Sequence, residues 1–310
     1  MSNPVKPPAL RYGDAVSVVS LASPVDEARL DRGCAELARL GYVVEADRSR
    51  ALARNGFFAG SKSDRLHALK QAFSEPSSRA VLCSRGGYGS NYLLDALDDL
   101  GASPKILCGF SDITSLQVFF WQKFGWVTFY GPMVGSGIDC GADSPGGYDL
   151  ESFSRALTER HSGWTVNLRG ETLAPGMADG VLLGGCLTLL LTSLGTPWEL
   201  DTNGAILILE DRDMKPYQVD RALMHLKLAG KLDGVAGVIL GEFPGSAAPP
   251  GTETVKSVAR RILGPLKLPV VWGAPIGHTE RPMLTLPLGI RARLVSNDPA
   301  RIEILEPAVT

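Results

Sequence analysis

The sequence is short of several things that would mark other protein classes. Its five cysteines in 310 residues (Cys34, Cys83, Cys108, Cys140 and Cys186) are odd in number and scattered, with no C-x-x-C pair. That excludes a disulfide scaffold and a thiolate zinc site of ordinary spacing. Cys83 and Cys108 fall inside apolar runs, where cysteine behaves as a small buried hydrophobe in a reducing compartment. The longest apolar run, Val181 to Leu194, is broken by Gly184, Gly185 and Thr188 and is too short to span a bilayer. The first ten residues carry no apolar signal core. Charge of one sign is also missing. A formal net charge of −2 gives no reason to propose a nucleic-acid or membrane partner. No H-E-x-x-H, H-x-x-x-H, P-loop or G-x-G-x-x-G spacing occurs, so neither a metal nor a bound cofactor is expected. What remains is the composition of an ordinary globular protein, 45% hydrophobic and 21% charged, expected in the cytoplasm.

What is present is an alternation of strand and helix patterns. Single cores rarely grow past about 250–300 residues, so a chain of this length is expected to form two domains. Strand-like runs lie at Ala15–Ser20, Tyr42–Glu45, Ala80–Cys83 and Ile106–Cys108. Helical periodicity fills Val25–Leu40, Lys62–Phe73, Tyr92–Leu100 and the segment from Asp112. Such alternation predicts a doubly wound parallel sheet that binds ligands at the carboxyl ends of its strands. From Gly135 the chain turns to Gly, Asp, Ser and Pro, which reads as a linker over 136–174 with a short helix near Leu150–Glu159. The expected organisation is therefore an N-terminal α/β domain at 1–135, a linker, and a C-terminal domain at 175–310. In the latter, Gly180–Gly195 reads as a helix packed closely at its glycines. Strands follow at Ala205–Leu209, Val235–Leu240 and Val270–Gly273, with helices at Tyr217–Ala229 and Thr252–Leu263. A β-rich tail over Met283–Leu288, Ile290–Val295 and Arg301–Leu305 predicts a mixed sheet.

Ser111 stands between the Ile106–Cys108 run and a helix whose apolar residues include Ile113, Leu116, Phe119 and Phe120. A hydroxyl at such a turn can project from the sheet edge, as in the G-x-S-x-G nucleophile elbow, although Ile113 replaces the second glycine. The alternative is a helix N-cap, the commoner role for serine in that position. A nucleophile needs a base and a group to orient it. His67 and His225 lie within amphipathic helices and His161 at a polar helix end. His278 follows a strand and a glycine turn, where catalytic groups concentrate. Glu210, Asp211 and Glu242 end strands, and Glu210 closes a five-residue apolar run that would hold its carboxylate rigidly. The turn Ser84 to Ser90 is glycine-rich, so its N–H groups could approach a ligand closely or simply form a tight turn.

Several separated motifs in order resemble the LD-carboxypeptidase family of serine peptidases over nearly the whole chain. They are Arg85-Gly86-Gly87-Tyr88-Gly89, Gly109-Phe110-Ser111-Asp112, Leu209-Glu210-Asp211 with Lys215 and Asp220 behind it, and Gly277-His278 with Leu284 to Gly289. Gly184-Gly185-Cys186 and Leu228 to Leu232 are further landmarks. The resemblance implies a flavodoxin-like parallel sheet joined to a swivelling β/α domain with mixed sheet. It implies a Ser111–His278–Glu210 triad and an oxyanion hole from the N–H of Asp112 and of Gly86 or Gly87. The implied substrate is a murein tetrapeptide, cleaved before its terminal D-Ala during wall recycling by a homodimer. A microcin-immunity peptidase of the same family and a non-catalytic cleft-binding protein are the alternatives. Cys186 stands where many relatives carry Asn, and the loop Thr279–Pro282 is a variant one.

Overall fold

The computed structural model describes residues 4–98, 100–101 and 103–310. In chain order the strands are β1 (Ala15–Val19), β2 (Val43–Ala46), β3 (Ser78–Cys83), β4 (Ile106–Gly109), β5 (Thr128–Tyr130), β6 (Thr165–Asn167) and β7 (Glu171–Ala174). They continue with β8 (Gly176–Cys186), β9 (Ala205–Glu210), β10 (Gly237–Leu240), β11 (Val270–Trp272), β12 (Leu286–Leu288), β13 (Arg291–Ser296) and β14 (Arg301–Ile304). Two sheets result, of order β12-β5-β4-β3-β1-β2 and β6-β14-β13-β8-β9-β10-β11-β7.

The first sheet is parallel from β1 to β5, and its central strands are apolar and buried over Ala80–Cys83 and Ile106–Gly109 because both faces are covered there. Edge strand β2 instead alternates exposed and half-buried residues. The helices between strands are closed by side-chain caps: Asp26 accepts from Arg29 N–H, and Ser61 and Asp64 form a reciprocal capping box. The second sheet is mixed, with β8, β9, β10 and β11 parallel and the remaining strands antiparallel. The fold is thus the two-sheet α/β architecture that the alternation predicts.

Three local readings differ. Gly180–Gly195 is not one helix: β8 runs to Cys186, and only Leu187–Ser193 is helical. An apolar run without clear periodicity does not separate strand from buried helix. The strand wins because Gly184 and Gly185 let it press on its neighbours; a Cβ at Gly184 would lie 2.1 Å from the Ile208 carbonyl. The expected helix Tyr92–Leu100 is a 3-10 helix over Ser90–Ala96. Its continuation at Asp99 lies outside the described residues, as do the first three residues of the N-terminal stretch. Strand β5 is an element the sequence reading did not name, although Trp126 to Tyr130 is an aromatic and β-branched run between Gly125 and Gly131.

The segment 136–174 carries the helix Leu150–Thr158 and supplies both edge strands, β6 and β7, of the second sheet. Strand β12 does the reverse. It leaves the second half of the chain to pair antiparallel with β5, placing Leu286 opposite Tyr130. The stretch between β11 and β12, which holds His278, is therefore anchored in both sheets. No helix among the described residues is long and apolar enough to cross a membrane.

Candidate active site

Strand β4 ends at Gly109, Phe110 is extended, and the chain then reverses through Ser111 into the helix Thr114–Phe124. Ser111 has φ 61°, a left-handed conformation that costs a non-glycine residue energy and persists only where its surroundings enforce it. Neither the 3-10 turn nor the helix that follows takes a side-chain cap, so Ser111 is not an N-cap. Its half-buried side chain lines a cleft of about 600 Å³ shared with Gly86, Gly87, Cys186, Asp211 and His278.

Glu210 ends β9 with no exposed surface. A buried carboxylate is tolerable only when its oxygens are satisfied. Here Oε2 accepts both the backbone N–H of His278 and its ring Nδ1–H, each at 2.8 Å. Oε1 accepts the hydroxyl of Tyr130 at 2.5 Å. With Nδ1 donating, Nε2 keeps its lone pair and can accept a proton. The His278 and Phe110 rings meet in a T-shaped contact, centroid to centroid 5.1 Å, which brings the imidazole beside the Ser111 turn. No hydrogen bond joins Ser111 Oγ to His278 among the described residues. In ligand-free sites such bonds are commonly long and tighten when substrate binds.

The glycine turn lies against Ser111. Gly86 is buried, and a Cβ there would stand 3.0 Å from Ser111 Cβ, 3.2 Å from Oγ and 3.5 Å from the Asp112 N. Gly86 O accepts from Ser23 N–H at 3.2 Å, and Tyr88 N–H donates to Ser23 Oγ at 3.1 Å, so the loop after β1 clasps the turn. The Asp112 side chain faces away from the cleft, accepting from Ser90 N–H at 2.7 Å. Burial, opposed by Ser90 and by Arg65, holds its carboxyl above the ordinary range.

The other candidates are otherwise engaged. Asp211 accepts from Thr188 N–H and Oγ1–H at 2.9 and 2.7 Å. Glu242 binds Thr279 and Arg281, bracing the loop that follows His278. His67 and His225 are exposed on helices, and exposed His161 pairs with Glu159. Cys186 lies 3% exposed at the cleft wall, its thiol pushed well above the ordinary value by burial and then by Glu210 and Asp211. Two participants escaped the sequence reading. Tyr130 sits on the unrecognised β5, and the buried Asp139 fixes Arg29 at the cleft at 2.7 Å. No local pattern announces either, since each partner is remote in sequence.

Comparison with known proteins follows the same geometry. Residues 16–131 match the LD-carboxypeptidase N-terminal domain and residues 179–294 the LD-carboxypeptidase C-terminal domain. The probable murein peptide carboxypeptidase of Bacillus subtilis strain 168 is 35% identical over 311 residues, 98% of this chain and 95% of that one. The crystal structure of muramoyltetrapeptide carboxypeptidase from Oxalobacter formigenes aligns with a TM-score of 0.82 at 29% identity, over 94% of this chain and 99% of that one. A structure of MccF in complex with glutamyl sulfamoyl guanosine aligns with a TM-score of 0.88 at 26% identity, over 99% of this chain and all (100%) of that one.

Proposed function

We propose, from the premise that this chain belongs to the LD-carboxypeptidase family and is a serine peptidase of it, that it removes the terminal D-Ala of murein tetrapeptides. The observation that carries the reading is the meeting, at one cleft, of a serine on a left-handed strand-to-helix turn and a histidine whose Nδ1–H is fixed on a buried carboxylate. A ligand-binding cleft has no use for that combination.

Ser111 Oγ attacks the carbonyl of the diamino acid while His278 Nε2 takes its proton. The tetrahedral oxyanion is held by the N–H of Asp112, at the start of a helix, and by an N–H of the Gly86–Gly87 turn. Because the Gly86 carbonyl is turned to Ser23, the Gly87 N–H on the same trans peptide points away from Ser23 and is the better placed donor. Nε2 then protonates the departing D-Ala amine, and water, deprotonated by the same nitrogen, releases the tripeptide from Ser111. Glu210 stays ionised throughout and orients the ring. The enzyme is assigned to the cytoplasm, on the strength of five free cysteines of which three are buried, and to a homodimer, by its family resemblance.

The test is direct. Purified protein incubated with the muropeptide tetrapeptide should release D-Ala, followed by mass spectrometry. Hydrolysis of an aminoacyl sulfamoyl nucleotide with the tetrapeptide untouched would transfer the substrate to the microcin-immunity class. Gly86→Ala provides a second check. Gly86 does not occupy a left-handed conformation, so alanine is permitted by the backbone. Its methyl would instead press on Ser111 Cβ and Oγ. Turnover should fall about a hundredfold or more, as when a reacting group is shifted by a fraction of its bonding distance. The melting temperature should change little; unchanged turnover would separate this turn from the oxyanion.

A further inference from the structure

Tyr130 is among the largest fully buried side chains of the protein, and its hydroxyl stands at an unusual junction. It donates to Glu210 Oε1 at 2.5 Å and accepts the backbone N–H of Ser111 at 3.5 Å. The phenol is pushed well above its ordinary value by burial first and by Glu210 next, so it stays protonated and must donate. Tyr130 belongs to the first sheet and Glu210 to the second. One oxygen atom thus touches both the backbone of the strained nucleophile and the carboxylate that orients the base.

We propose that Tyr130 is a positioning residue that couples Ser111 to the Glu210–His278 pair across the two sheets. This rests on the serine-peptidase reading above. Its physical content is twofold. The hydroxyl's acceptance of the Ser111 N–H supports the left-handed conformation that aims Oγ at the cleft. Its donation to Oε1 withdraws charge from the carboxylate, which would otherwise fall more heavily on the Nδ1–H bond at Oε2. The other titratable groups around the carboxylate are His278, on the loop after β11, and the Cys186 thiol, paired with Glu210 across β8 and β9. Asp211, next in the chain, is held by Thr188.

Tyr130→Phe deletes one oxygen and keeps the packing. The readout that needs no substrate is the rate at which a fluorophosphonate probe labels Ser111 in the full-length protein, measured against pH. The variant should be labelled about ten- to a hundredfold more slowly, because the Ser111 N–H loses the acceptor that holds its strained turn and Oγ is less well aimed. D-Ala release should fall by a similar factor in kcat with KM nearly unchanged. With one donor fewer, Glu210 holds the imidazolium more firmly, so the acid limb of both profiles should move to higher pH. A purely structural tyrosine would lower stability without moving that limb. If the variant does not fold, 3-fluorotyrosine placed at position 130 alone keeps the hydroxyl and makes it a stronger donor; the limb should then move to lower pH. Wild-type rates and an unmoved limb in Tyr130→Phe, or an unmoved limb in the fluorinated protein, would overturn the proposal. A wild type that is not labelled at Ser111 would instead overturn the serine-peptidase reading and this proposal with it. Labelling without D-Ala release would count against the tetrapeptide alone.

Discussion

Ser111→Ala is expected to lower D-Ala release from the murein tetrapeptide by about ten thousand- to a million-fold, the range seen when a serine hydrolase loses its nucleophile. In the proposed mechanism the hydroxyl makes and breaks the covalent bond, and nothing else on the cleft wall replaces it. The nearby Cys186 thiol is not a substitute. It is buried, and both that burial and the neighbouring carboxylates disfavour its thiolate. Alanine also tolerates φ 61° no worse than serine does, and the serine hydroxyl makes no cap bond that would be lost. The melting temperature should therefore stay close to that of the wild type. Residual release within tenfold of wild type, measured by mass spectrometry on protein of verified fold, would sink the nucleophile assignment.

Glu210→Gln is expected to cost about a thousand- to ten thousand-fold in kcat, through the protonation pattern of the site rather than its shape. The carboxylate accepts from three N–H or O–H groups at once: Tyr130 on one oxygen, and the backbone and ring of His278 on the other. Glutamine has the same outline but only one acceptor oxygen. Whichever way its amide is turned, an NH₂ group faces a donor. If it faces Nδ1, the imidazole must place its proton on Nε2, and it can no longer take the serine proton. If it faces Tyr130, a buried donor is left without a partner, which costs about 1–3 kcal/mol of stability. The check is a kcat measurement joined to ¹⁵N spectra of the His278 ring, which should report the altered tautomer. Unchanged kcat with the wild-type tautomer would remove Glu210 from the orienting role.

The two variants lie on different halves of the chain. Ser111 is carried by the first sheet, while Glu210 ends a strand of the second and His278 follows another. The segment from His278 to β12 runs back to pair with β5, so the site depends on the seating of one sheet against the other.

What the sequence determined by itself is local and periodic. Strand and helix alternation, the apolar run closing on Glu210, and the turn at Gly109 to Asp112 follow from burial patterns and glycine placement within a few residues. Those are short-range properties; they offered Ser111 as cap or elbow, His278 as the best placed histidine, and Glu210 beside Asp211 and Glu242, and the triad itself came from the family resemblance. Tertiary structure decided the rest. Gly180–Gly195 carries an apolar pattern that suits either helix or strand, and only the close approach of Gly184 to Ile208 made it a strand. The choice between cap and elbow for Ser111 depended on a backbone dihedral set by the packing around it. Tyr130 and Glu210 are 80 positions apart, and their bond exists because the end of β9, inside the second sheet, packs against β5 of the first, and neither strand encodes the other. Sequence patterns report which face a residue buries. Which remote partner it meets there is fixed by how the sheets pack.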